Sequence, residues 1–213
     1  IEDNQSHYTP NPGIPALREA AAAYYNEKFN WHYQAENVIT TVGATEGIAA
    51  ALQAIVNPDD VVIIPTPIFP IYIPDTLLNH GQVVFIDTSA DGFVLTPERL
   101  EATIKAQGDK VVKALVLNYP NNPTGVTYNH EELAGLSKVI SKYKLWVVSD
   151  EFYAELSYIE PHESLANFIP EQVIVVNGLS KSHAMTGWRV GFLLAPKAVT
   201  DEIINSHKYI VTA

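Results

Sequence analysis

The chain has 213 residues, 47% hydrophobic and 17% charged, which excludes wholesale disorder and allows one large domain or two small ones around a substantial core. Its 13 Lys and Arg against 24 Asp and Glu leave a net charge of -11 with no basic cluster. Nucleic acid and anionic membrane are therefore poor partners, and any bound phosphate must be held by a local site. The absence of cysteine excludes disulfides and thiolate metal sites within the chain and fits a cytoplasmic setting. No apolar stretch approaches transmembrane length, the first residues carry no signal-peptide pattern, and the Asn4-Gln5-Ser6 sequon reads as accidental.

In chain order, residues 8–15 are rich in proline and glycine and read as a turn. The alanine-rich run 16–29, with Leu17, Ala20, Ala21, Tyr24 and Tyr25, predicts an amphipathic helix. Residues 38–42 are a short β-branched strand, followed by Gly43-Ala44-Thr45-Glu46-Gly47 and a helix over about 45–56. A strand, a small-residue turn and a helix N-terminus together make an anion site, because free backbone N–H groups and the positive dipole end face the ligand. Thr45 can add its hydroxyl there or act only as an N-cap. Residues 60–65 predict a buried strand ending at Thr66-Pro67-Ile68-Phe69-Pro70-Ile71-Tyr72, and 82–86 another. Thr96 and Pro97 have the chemistry of an N-cap and a first helical position. The strand over 111–117 leads into Asn118-Tyr119-Pro120-Asn121-Asn122-Pro123-Thr124-Gly125, a loop stiffened by two prolines. Asn129 caps a helix to about Tyr143, and the strand that follows ends at Asp150-Glu151-Phe152-Tyr153. Glu151 reads as structural. Finally, Val173-Ile174-Val175-Val176 is a buried strand, and Lys181 sits just past its end, where α/β sheets place their ligands. Strands alternating with helices predict a three-layer α/β/α sandwich around a mainly parallel sheet. Two local matches carry no function: Ser141-Lys142-Tyr143-Lys144 lacks the companion motifs of an acyl-enzyme serine, and the seven histidines show no metal spacing. His183 has no assigned role.

The stretch Asn177-Gly-Leu-Ser-Lys-Ser-His-Ala-Met-Thr-Gly-Trp-Arg-Val-Gly191 resembles the cofactor-lysine signature of the class I/II aminotransferases, fold-type-I enzymes that use pyridoxal 5'-phosphate. The run Asn118-x-Pro-x-Asn-Pro-x-Gly125 resembles the same family, and so do the Gly43–Thr45 turn and the Asp150/Tyr153 spacing. The resemblance implies that Lys181 forms the Schiff base and that Arg189, eight positions on, binds the phosphate with Gly43, Ala44, Thr45 and Ser180. It further implies that Phe69 stacks on the pyridine face, with Tyr72 a weaker candidate, and that Asp150 keeps the ring nitrogen protonated. Tyr153 and Asn122 would reach the phenolic oxygen, Asn122 would also touch the substrate carboxylate, and Tyr8 would reach the cofactor of a neighbouring subunit in a homodimer. Burial and nearby cations are expected to tune the Lys181 amine as the proton-transfer base.

By this resemblance residues 1–213 are the large, cofactor-binding domain, with a first segment and a C-terminal small domain expected outside them. The implied reaction moves an amino group from an L-amino acid to a 2-oxo acid, and the wording is most similar to bacterial aromatic or acyl-diaminopimelate aminotransferases. Carbon–sulfur β-lyases share the same residues, and a cofactor-binding domain without turnover is a third possibility. One departure stands out: the position three before the lysine, often a phosphate-contacting serine in the family, is Gly178.

Overall fold

The computed structural model describes residues 7–158 and 161–211, so the Asn4 sequon lies outside the described residues. Seven strands form one sheet: β1 (Val38–Val42), β2 (Val61–Thr66), β3 (Gln82–Asp87), β4 (Val112–Asn118), β5 (Trp146–Asp150), β6 (Val173–Gly178) and β7 (Val190–Leu194). Their order is β1-β7-β6-β5-β4-β2-β3. Pairs β2/β3, β2/β4, β4/β5 and β5/β6 are parallel, whereas β7 runs antiparallel to both β1 and β6. Because β7 lies between β1 and β6, those two strands still point the same way. The strands that carry the candidate site therefore all end at one edge of the sheet.

The strands are apolar on both faces, and their period-2 alternation divides the core into two layers. Val61, Ile63, Leu115, Leu117, Val147, Val173 and Val175 face one helical layer, built from α1 (Pro15–Phe29), α4 (Pro97–Ala106) and α5 (His130–Tyr143). Val62, Ile64, Ala114, Val116, Val148, Ile174 and Val176 face the other, built from α2 (Gly43–Ile55), α3 (Tyr72–Leu78) and α6 (Lys197–Val211). The result is the expected three-layer sandwich.

Helix ends follow local chemistry. The Thr96 hydroxyl accepts the Arg99 N–H at 3.3 Å with Pro97 in the first turn. Asn129 and Glu132 form a reciprocal capping box at α5. At α2 the helix starts two residues earlier than expected, at Gly43, and Val42 is the N-cap. Thr45 is thus inside the first turn, which rules out the purely capping role. No helix among the described residues is long and apolar enough to cross a membrane.

Candidate active site

The loops after β1, β2, β4, β5 and β6 converge on a cavity of about 310 Å³ at the carboxyl edge of the sheet. Ala44, Thr45, Phe69, Asn122, Asp150, Tyr153, Ser180, Lys181 and Arg189 line it. So do Ile48, Ile71, Tyr72, Asn118, Phe152 and Thr186. Of the other two candidates, Gly43 does not line the cavity, and neither does Tyr8, which is 86% exposed.

One end of the cavity is built for an anion. Helix geometry leaves the first N–H groups of α2 without intrahelical acceptors, and Ala44 and Thr45 belong to that turn. Arg189, at a positive φ of 56°, donates to the Thr186 carbonyl at 3.1 Å and lies against Gly43. A Cβ added to Gly43 would fall 2.5 Å from Arg189 Nη2, and Gly43 has a φ of +73°. Glycine at this position leaves room for the guanidinium. The Ser180 hydroxyl is buried and, among the described residues, has no hydrogen-bond partner.

Gly178 has its own explanation. A Cβ there would lie 2.7 Å from the Phe152 ring and 2.7 Å from the Val190 carbonyl oxygen, so a serine cannot be accommodated without shifting β7. That leaves Ser180 as the hydroxyl of this turn that lines the cavity.

The floor is acidic. Asp150 is 7% exposed; its carboxylate accepts from the Tyr72 hydroxyl and, at 3.2 Å, from the Phe152 N–H. Burial pushes its pKa up to about 6, against the opposing pull of those two hydrogen bonds. Among the described residues no cation pairs with it. Tyr72, 0% exposed, is therefore the donor that holds this carboxylate, a role different from the ring stacking considered for it. Burial, followed by the Asp150 charge, drives the Tyr72 hydroxyl far above its ordinary value, so it stays a donor.

Asn118, the first residue of the Asn-x-Pro-x-Asn-Pro motif, joins two loops. Its side-chain amide donates to the Asp150 carbonyl at 3.0 Å and its oxygen accepts the Asn122 N–H at 2.8 Å. The next carboxylate along, Glu151, is 0% exposed and turned away from the cavity. It accepts from Ser149 Oγ (2.7 Å), Ser164 Oγ (2.6 Å) and Tyr119 OH (3.2 Å), and meets His162 Nε2 at 2.7 Å. That network anchors the loop carrying Phe152 and Tyr153 and supports the structural role expected of Glu151.

Lys181 differs from expectation. It is exposed, because its loop runs along the rim of the cavity, and its Nζ stands 5.6 Å from the Tyr153 ring centroid. His183, two residues on, contacts the Ser182 hydroxyl at 2.8 Å and packs edge-on to Tyr24.

The edge of the sheet thus presents a lysine, an arginine packed against a helix N-terminus and a buried aspartate around one cavity whose anion end is formed by backbone N–H groups and a guanidinium. The chain belongs to the class I and II aminotransferases, whose family model matches residues 2–210. It is 44% identical over its whole length to a probable N-acetyl-LL-diaminopimelate aminotransferase of Bacillus subtilis, of which it covers 53%. It is 37% identical to an aspartate aminotransferase of Pyrococcus horikoshii, over 99% of this chain and 54% of that protein. Among solved structures, a Thermus thermophilus aspartate aminotransferase tetra mutant superposes with a TM-score of 0.93 at 36% identity, over 100% of this chain and 58% of that one. The chain thus spans about half the length of the curated relatives it matches.

Proposed function

We propose that the chain is the cofactor-binding large domain of an enzyme that uses pyridoxal 5'-phosphate to move an amino group from an L-amino acid to a 2-oxo acid. The observation that carries this is a buried carboxylate without a cation, Asp150, sharing one cavity with the Lys181 amine and the Arg189 guanidinium.

The residues suit the group. A protonated ring nitrogen would give Asp150 the counter-charge it lacks. The partnerless Ser180 hydroxyl, Arg189 and the first turn of α2, with Gly43, Ala44 and Thr45, would hold the phosphate. Phe69 would cover the ring, and Asn122 and Tyr153 would reach its phenolic oxygen. When bound, the cofactor supplies an electron sink for the carbanion left by loss of a substrate α-proton. Lys181 Nζ would hold the aldehyde end and, once displaced by an amino acid, would take that proton and return it to the neighbouring carbon. Asn122 would orient the substrate carboxylate. Tyr8 would serve a neighbouring subunit in a cytoplasmic homodimer. The similarity to a probable N-acetyl-LL-diaminopimelate aminotransferase supports a diaminopimelate-type donor, and an aromatic donor is the second candidate for the same test.

The test supplies the chain with cofactor and a panel of amino donors, with and without a 2-oxo acid, and follows the oxo product. Catalytic product formation that requires the 2-oxo acceptor supports transamination. Product released with ammonia in the absence of an acceptor would replace it with a lyase.

A further inference from the structure

The anion end of the cavity contains an apparent contradiction. Glu46 lies in the first turn of α2, beside Ala44 and Thr45, where a carboxylate would repel an incoming phosphate. Glu46 is nevertheless buried, at 8% exposure, and both of its oxygens are used. Oε2 accepts the N–H of Val42, the residue that opens the turn, at 3.1 Å. Oε1 meets Nδ1 of His207, on α6, at 2.9 Å.

His207 is 2% exposed, and its other nitrogen, Nε2, faces the Asn11 carbonyl oxygen at 2.9 Å. A carboxylate on one side and a carbonyl on the other both accept, an arrangement that favours hydrogens on both ring nitrogens and so an imidazolium. Burial works against that charge, but the Glu46 hydrogen bond and charge, with the Asn11 carbonyl, outweigh it and raise the His207 pKa. Among the described residues, Glu46 is the charged group facing the imidazole. The rest of α2 and all of β1 carry no other ionisable side chain, while Glu36, Asp201 and Glu202 are exposed and Lys208 turns to Asn205.

We propose that Glu46 and His207 are positioning residues for the phosphate turn: Glu46 fixes the backbone at Val42, and His207 cancels the charge that Glu46 would otherwise set beside the phosphate. The pair also ties α6 and the segment at Asn11 to the first turn of α2. It rests on the phosphate assignment proposed above. Loss of the imidazolium leaves an uncompensated negative charge near the turn. The phosphate-bearing cofactor then binds about tenfold more weakly, while its dephosphorylated form is unaffected.

The experiment measures dissociation constants of pyridoxal 5'-phosphate and of pyridoxal for the chain and for three variants, His207→Gln, Glu46→Gln and the double substitution. The ratio of the two constants isolates the phosphate contribution from Lys181 chemistry. His207→Gln is expected to lower the preference for the phosphorylated form about tenfold at pH 7, and the double variant to restore it. As the pH rises through the raised titration range of His207 the unsubstituted chain loses preference, and Glu46→Gln does not. An unchanged preference in His207→Gln, or equal weakening of both ligands without rescue in the double variant, would overturn the proposal alone. An unsubstituted chain that binds pyridoxal 5'-phosphate no better than pyridoxal would overturn the phosphate assignment itself, and this inference with it.

Discussion

Replacing Asp150 with asparagine should make the cofactor-free chain more stable. In the folded chain its pKa is pushed up to about 6 from its ordinary value of 3.8, chiefly by burial. The folded state therefore binds more protons than the unfolded state between those two values. Stability falls as the pH rises through that window, and the whole cost persists above it. That difference corresponds to about 3 kcal/mol at pH 8 and, by the same linkage, about half as much at pH 5. Asparagine carries no charge, but its single oxygen can keep only one of the two donors, Tyr72 OH or the Phe152 N–H. Losing the other costs about 1 kcal/mol. The net gain is then about 2 kcal/mol at pH 8 and clearly smaller at pH 5, or roughly 4–8 °C in midpoint at the higher pH for a chain of this size. Urea and thermal unfolding of both proteins at the two pH values measure it. The same substitution should reduce the stabilisation that added cofactor gives, since the counter-charge for the ring nitrogen is gone while the phosphate contacts remain. A variant that unfolds at or below the parent midpoint at pH 8 would refute the claim that Asp150 is a strained, cation-seeking carboxylate.

Two other substitutions test the scaffold. Gly43→Ala must adopt a φ of +73° with its methyl group 2.5 Å from the Arg189 guanidinium. It should cost about 1–3 kcal/mol in unfolding experiments and weaken cofactor binding at least about tenfold in a titration. Glu151→Ala strips the acceptor from Ser149, Ser164, Tyr119 and His162 in a fully buried network and should destabilise by about 3–5 kcal/mol by urea denaturation.

Strands and their ends were readable because β-branched runs such as Val61–Thr66 and Val173–Gly178 stand between turn formers. The turn-forming loops behind them brought most of the candidate side chains to one cavity. Elements with weak or overlapping signals were missed. The seven-residue helix Tyr72–Leu78 contains Pro74 and follows Pro70, so it did not read as a helix. The strand Val190–Leu194 overlaps the end of the cofactor-lysine stretch, and nothing in its pattern reveals that it runs antiparallel. Side-chain partners were invisible for a different reason: they are set by tertiary packing. Tyr72 and Asp150 are 78 residues apart, and Glu46 and His207 are 161 apart. The exposure of Lys181 likewise depends on how its loop lies along the cavity rim, which spacing along the chain does not encode.

The most direct test of the central claim is to add pyridoxal 5'-phosphate, reduce with borohydride, and map the modified peptide by mass spectrometry. A stable pyridoxyl adduct on Lys181, absent in Lys181→Ala, is the predicted result. Labelling spread over the surface lysines, with Lys181 left unmodified, would contradict it.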